Sequence, residues 1–231
     1  MNTTTSLKNQ WEALKVSHPT LRIRNAAEQL GVSEAELVAT QIGETVTRLQ
    51  PEFASILSEI ESLGKVMALT RNASCVHERK GVYLNPDFSS PHAGLFVGED
   101  IDLRIFLSAW DKAYAVSETS EHGTRKSLQF FGKDGLAIHK IYLTPDSNEA
   151  AFDALVERYQ SENQEAIETT TSVAALPSEK PDTEIDVEGF QKAWIALKDT
   201  HEFFGMLNAG VGNQLFKKHP GVCFPKKWGV F

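Results

Sequence analysis

The sequence predicts an α+β fold in which an antiparallel meander sheet is flanked by helices, followed by the opening helices of an incomplete second repeat. Apolar residues recur at helical spacing from residue 11 to residue 63, whereas residues 65–144 contain short runs rich in β-branched and aromatic residues. No helical pattern separates those runs, and strands joined by short connections pair in antiparallel fashion. The second repeat is predicted from an octet near residue 11 that recurs near residue 194.

The helices of the first repeat are predicted from apolar spacing and from the residues that begin and end them. Gly31 is a C-terminal cap for the second helix, and Ser33 is the N-cap of the third. Glu34 and Glu36 then occupy the first turn, where the helix dipole favours acidic side chains. The predicted helices span residues 11–16, 21–30, 34–42, 52–63 and 148–159.

Seven strands are predicted in the middle of the chain, and they are expected to form one antiparallel sheet. Turn residues such as Gly132, Asp134 and Gly135 separate neighbouring runs. The predicted strands span residues 66–70, 74–83, 93–97, 102–107, 110–117, 126–131 and 136–143.

The two octets, residues 11–18 and 194–201, share the pattern W-x-A-L-K-x-[ST]-H at six of eight positions, 183 residues apart. This spacing predicts a tandem duplication. We expect a first repeat, a solvated linker, the helical start of a second repeat and an irregular tail, at residues 1–160, 161–184, 185–208 and 209–231. Only 30 residues follow the second octet, so the second repeat is expected to be truncated.

Charge bears on the choice of partner. The second and third helices have the outline of a helix-turn-helix, so a DNA-binding regulator is one alternative. A recognition helix needs basic or amide side chains, yet residues 33–40 contain two acids and no base.

The net charge of −8 becomes −12 over the first 204 residues, because residues 205–231 carry four lysines and no acid. Such a surface repels a polyanion, which disfavours nucleic acid as a partner.

Cysteine usage and hydropathy bear on the compartment. Cys75 and Cys223 lie far apart, with neither disulfide-framework nor zinc-site spacing. The sequence has no signal-peptide hydrophobic region and no apolar stretch long enough to span a bilayer. We therefore expect a cytoplasmic protein without stable membrane insertion.

The candidate chemistry rests on one histidine, because no short catalytic signature is present. His201 precedes Phe203 and Phe204 at the start of a predicted helix. Haem iron accepts a single histidine, and the macrocycle prefers apolar walls. This cluster is a candidate haem site, and the alternative is that His201 packs against neighbours or caps a helix.

Five segments carry a resemblance to a known family: VMALTRN (66–72), VHERKGVY (76–83), VGEDIDLR (97–104), SLQFFG (127–132) and DTHEFF (199–204). With them the chain resembles the cytoplasmic haem-utilisation proteins HemS, ChuS and PhuS, also called haemin-degrading factors. The resemblance covers residues 8–207. It implies a duplicated α+β protein that holds haem b in a cleft between a helix of the second repeat and the sheet of the first.

The resemblance also implies roles for individual residues. His201 would be the axial ligand of the haem iron, with Phe204 in the apolar wall. Arg104 would stand over the open iron face, and it would be the catalytic residue if haem is degraded. The alternative for Arg104 is an ordinary strand arginine paired with Asp102 or Glu99. His77 is a candidate for a separate haem site in the first repeat.

The function that the resemblance implies is haem binding for haem trafficking and iron utilisation, with oxidative haem degradation as a further possibility. An alternative is a non-enzymatic chaperone that delivers haem to a separate haem oxygenase, and an inner-membrane haem transporter is a further candidate partner. Without a complete second repeat, haem is expected to bind more weakly and with a more exposed face. An uncovered apolar face at Phe190, Trp194 and Phe204 is expected to favour self-association.

Overall fold

The computed structural model describes residues 3–72, 75–90, 93–120, 123–171, 186–199, 202 and 206. The chain divides into two compact units, Met1–Val173 and Ala174–Phe231.

Three helices open the first unit: α1 (Thr3–Ser17), α2 (Ile23–Leu30) and α3 (Glu34–Ala39). Both predicted caps are confirmed. Gly31 adopts a left-handed conformation with φ of 67°, and Ser33 forms a capping box in which it exchanges hydrogen bonds with Glu36. The helix α3 ends at Ala39, three residues before the predicted end.

The predicted antiparallel sheet is confirmed, and the described residues contain eight strands in place of the seven predicted. The strands are β1 (Val46–Leu49), β2 (Gly64–Arg71), β3 (Val76–Gly81), β4 (Gly94–Phe96), β5 (Leu103–Ile105), β6 (Trp110–Ser120), β7 (Gly123–Gly132) and β8 (Ala137–Ser147). Six of them form one sheet in the order β1-β6-β7-β8-β2-β3, and each adjacent pair is antiparallel. The meander is confirmed for β6, β7 and β8.

Two features of the sheet differ from the sequence-based expectation. The strand β1 was not predicted, because its four residues are too few to show a period of their own; its pairing with β6 makes it a strand. The strands β4 and β5 form a separate two-stranded sheet, so the prediction of one sheet is wrong for this pair. We call residues 84–109, which leave the six-stranded sheet after β3 and return to it at β6, the insert.

The two faces of the six-stranded sheet are covered by different helices. On one face pack α4 (Phe53–Ser58), a 3-10 helix (Ile60–Leu63) and α5 (Glu149–Tyr159), whose apolar residues join the larger core. On the other face, α3 packs Val38 and Ala39 against Tyr114 and Val116 of β6 and Phe131 of β7. Because successive side chains of a strand point to opposite faces, the two cores draw on alternate residues of the same strands.

Residues 161–171 follow α5 and lie along the edge strand β1. The Gln164 side chain accepts from the backbone N–H of Arg48 at 3.0 Å and donates to its carbonyl at 2.9 Å. The Arg48 guanidinium donates to the carbonyl oxygens of Glu165 at 3.0 Å and Ile167 at 2.7 Å. The expected solvated linker is therefore wrong for these residues, because the unpaired edge of β1 supplies hydrogen-bonding partners for them.

A buried carboxylate secures the same segment further along. Glu168 pairs with Arg48 and accepts from the hydroxyl of Tyr114, and the backbone N–H of Thr171 donates to the carbonyl of Lys133 at 2.8 Å. The first unit thus includes residues as far as Thr171, beyond the predicted domain boundary at residue 160. The remaining predicted linker, residues 172–184, lies outside the described residues.

The second unit contains α6 (Val187–Ala196), whose N-cap Asp186 accepts from the backbone N–H of Gly189 at 2.8 Å. Phe190 and Trp194 are only 5% and 7% exposed, and their ring centroids lie 5.5 Å apart. The expected uncovered apolar face is therefore wrong for these two residues. The predicted tail, residues 209–231, lies outside the described residues.

Candidate functional site

Arg104 lies at the centre of β5, in register with Leu95 of β4, and its side chain is exposed. The alternative prediction gave it a carboxylate partner in Asp102 or Glu99. Among the described residues, no ion pair joins Arg104 to either acid. The nearby carboxylate of Asp100 pairs instead with Arg79 of β3. The guanidinium of Arg104 is therefore available to a ligand.

Phe106 lies two residues after Arg104 and is 58% exposed, while the intervening Ile105 is buried. A single exposed apolar side chain is common on protein surfaces, so Phe106 becomes a candidate contact residue only through its position next to the predicted site residue Arg104. Sequence reasoning missed it, although the alternation of Arg104, Ile105 and Phe106 in an extended segment was a signal that could have shown it. The outer surface of the insert thus presents a cation and an aromatic ring.

The residues on either side of the insert both contact one buried histidine, His139 of β8. The hydroxyl of Tyr83, just before the insert, contacts Nε2 of His139 at 2.6 Å. The ring of Trp110, just after the insert, stacks on the His139 ring with centroids 6.1 Å apart and planes at 29°. The other ring nitrogen, Nδ1, contacts the hydroxyl of Thr70 on β2 at 2.8 Å.

Burial controls the protonation of this group. His139 is 4% exposed, and burial lowers its pKa from the ordinary value of 6.5 to about 4. Burial also raises the pKa of the Tyr83 hydroxyl. A neutral imidazole has one donor and one acceptor nitrogen, so both hydroxyl contacts are satisfied in the neutral form. His139 is therefore a structural group at neutral pH.

His77, the second histidine predicted from the sequence, lies on the edge strand β3, in register with Thr70, and is exposed. Within the described part of the chain, no hydrogen bond, ion pair or ring contact joins His77 to Arg104. A role for His77 in a separate haem site stays a prediction. His201 and Phe204 lie outside the described residues.

The third helix, α3, is packed in a way that conflicts with DNA recognition. Five of its six residues are buried, including Glu34, which is only 2% exposed. The Glu34 carboxylate accepts from Nζ of Lys140 at 2.5 Å and pairs with Arg71. A recognition helix must expose a face to the major groove. The helix-turn-helix alternative is wrong because α3 is packed onto the sheet.

Neither a membrane-spanning helix nor a metal-binding cluster lies among the described residues. No helix there is both long and apolar enough to traverse a bilayer. No group of three or more histidine, cysteine, aspartate or glutamate side chains there is arranged to hold a metal ion.

Comparison with known proteins shows which sequences and structures this chain is similar to. The family described as the haemin-degrading HemS/ChuX domain matches residues 31–159. The hemin transport protein HmuS of Yersinia pestis is 36% identical over 205 residues, which cover 87% of this chain and 58% of the relative. The chain therefore spans a little over half the length of this relative.

Solved structures give a consistent result. Holo-PhuS, a heme-binding protein from Pseudomonas aeruginosa, is 40% identical with a TM-score of 0.85, and the match covers 92% of this chain and 62% of that one. ChuS, described as an E. coli heme oxygenase, is 28% identical with a TM-score of 0.71, and the match covers 87% and 57% of the two chains.

Proposed function

Since the chain belongs to the HemS/ChuX family, we propose that it binds haem as cargo in the cytoplasm and hands it on for iron utilisation. The observation that carries the proposal is the outer surface of the insert, where Arg104 and Phe106 are exposed and Arg104 has no ion pair among the described residues. A planar, anionic and largely apolar ligand is complementary to a guanidinium beside an aromatic ring.

We assign the iron ligand to His201. The imidazole of a histidine is an established axial ligand of haem iron, and the DTHEFF segment is the part of the sequence that resembles the family's ligand-bearing helix. Phe204 would contribute an apolar contact. Arg104 would act as a hydrogen-bond donor to water or to an anionic ligand.

A haem titration followed in the Soret region tests the assignment. The wild-type chain is expected to give a saturable shift at one equivalent of haem. His201→Ala is expected to weaken binding by about a hundredfold or more, since loss of only an outer-shell partner of a metal ligand already costs about 10–100-fold. The matched control is His77→Ala, which removes an exposed histidine from β3. Loss only in His77→Ala would assign the iron to His77, and equal loss in both variants would overturn the assignment to His201 alone.

Carriage and degradation of haem are separated by a second experiment. The relative ChuS is described as a heme oxygenase, so oxidative opening of the macrocycle is a candidate activity, with Arg104 as the catalytic residue. It requires O₂ and an external electron donor. The haem complex is incubated with ascorbate in air, and released iron and an open-chain tetrapyrrole are measured. If the Soret band persists, the chain is a carrier.

A carrier must deliver its cargo, and we propose a haem oxygenase as the recipient, with an inner-membrane haem transporter as the source. Transfer is measured by mixing the haem complex with an apo haem oxygenase and following the spectral change. A transfer rate equal to that of spontaneous haem dissociation, measured with an excess of apomyoglobin, would contradict direct delivery.

A further inference from the structure

The insert is attached to the rest of the first unit in an unusual way. Its two strands, β4 and β5, pair with each other and form a sheet separate from the six-stranded one. A strand within a sheet is fixed by a ladder of backbone hydrogen bonds. Among the described residues, the insert makes no such ladder with the six-stranded sheet, so the position of Arg104 depends on side-chain packing.

That packing leads to His139. Phe96 of β4 is fully buried, and its ring meets the Tyr83 ring edge-on with centroids 4.9 Å apart. Tyr83 in turn contacts His139 at 2.6 Å. Phe96 follows Leu95, the residue paired with Arg104. A continuous chain of contacts therefore runs from the buried histidine to the strand pair that carries the arginine.

The far end of the insert reaches the same histidine through Trp110, which is 6% exposed and stacks on the His139 ring. The other polar attachment to β3 is the ion pair of Arg79 with Asp100, whose side chains are 54% and 47% exposed. An ion pair so exposed contributes little. Tyr83 and Trp110 flank the insert, and their buried contacts with His139 hold both of its ends at the same place on β8.

We propose that His139 and Tyr83 are positioning residues for Arg104: they hold the two ends of the insert against the sheet, and thereby set where the guanidinium meets a ligand. This inference rests on the proposed haem binding for its second test below, whereas its first test needs no haem.

The first test measures amide hydrogen exchange in the ligand-free chain. Tyr83→Phe removes only the hydroxyl and leaves the ring against Phe96. Exchange in residues 94–106 is expected to accelerate by about fivefold, the factor that corresponds to the loss of one buried hydrogen bond, while exchange in residues 126–131 stays unchanged.

The matched control is Tyr159→Phe, which removes another hydroxyl from the first unit, one that donates to Glu59 at 2.7 Å. It is expected to leave exchange in residues 94–106 at the wild-type rate. If Tyr83→Phe and Tyr159→Phe accelerate all segments equally, the effect is general destabilisation and the inference is overturned.

The second test is a double-mutant cycle on the haem complex, with azide as an anionic ligand of the ferric iron. Arg104→Ala is expected to weaken azide binding because a donor is lost. Tyr83→Phe is expected to weaken it by about fivefold in the wild-type background and to have no effect in the Arg104→Ala background, since it acts through the arginine. His139→Asn is expected to behave in the same way.

The outcomes separate the two claims. Additive effects of Tyr83→Phe and Arg104→Ala would overturn the positioning role and leave the haem site standing. A wild-type chain that binds no haem, or an Arg104→Ala variant with unchanged azide affinity, would refute the proposed site, and the hydrogen-exchange result would then decide the positioning of the insert alone.

Discussion

Burial of His139 predicts that the first unit loses stability on mild acidification. The folded-state pKa of about 4 lies below the ordinary value of 6.5, so the unfolded chain binds a proton first as the pH falls. Above about pH 7 the ring is neutral in both the folded and the unfolded state, and its contacts contribute fully to the free energy of unfolding. Between about pH 6.5 and pH 4 stability is progressively lost, and below the folded-state pKa the loss is complete.

The magnitude follows from the two pKa values. One pKa unit corresponds to about 1.36 kcal/mol, so the full loss is about 3 kcal/mol, of which about 2 kcal/mol is lost by pH 5. This is a large share of the roughly 5–15 kcal/mol that stabilises a typical domain. Carboxylates also titrate in this pH range and change the stability of the protein. The contribution of His139 is therefore obtained by comparing the wild type with a variant that lacks the imidazole.

Urea unfolding followed by tryptophan fluorescence, at several values between about pH 8 and pH 5, provides the measurement. His139→Asn is expected to be less stable than wild type at pH 8, because buried contacts are lost, but its stability should fall by about 2 kcal/mol less on going to pH 5. The control His77→Gln removes an exposed histidine and should keep the wild-type pH dependence. Identical pH dependence in wild type and His139→Asn would refute the reasoning.

Three further predictions concern other parts of the first unit. Gly94→Ala should cost about 1–3 kcal/mol in urea unfolding, because the added methyl group would overlap the Phe88 ring and force a shift in the insert. Glu34→Ala should cost about 3 kcal/mol or more, because Lys140 would be left buried without its carboxylate, and a wild-type midpoint would contradict that account. Limited digestion with proteinase K should first cut after Thr171, whose backbone hydrogen bond to Lys133 is the last that the described residues 161–171 make with the first unit; mass spectrometry showing a first cut within residues 161–171 would contradict the attachment of this segment.

The sequence by itself determined the class of the fold and most of its elements. Caps such as Gly31 and Ser33 are local, since a left-handed residue and a side-chain acceptor act on their own helix, and both are confirmed. Runs of β-branched and aromatic residues between turn residues located seven strands within residues 65–144, because the preferences of these residue types act locally. The resemblance of five segments identified the family, which the match to residues 31–159 confirms.

Only the tertiary structure decided which elements are partners, because periodicity shows that a face is apolar but not what covers it. The four residues of β1 became a strand through β6, and residues 161–171 were fixed by the open edge that β1 leaves. From the sequence, Glu34 is predicted to be an acidic residue that stabilises the first turn of its helix. In the structure it is buried against Lys140, which is 106 positions away. His139 gave no sequence signal at all, since its contacts come from residues 69 and 56 positions distant and depend on long-range pairing that no local pattern encodes.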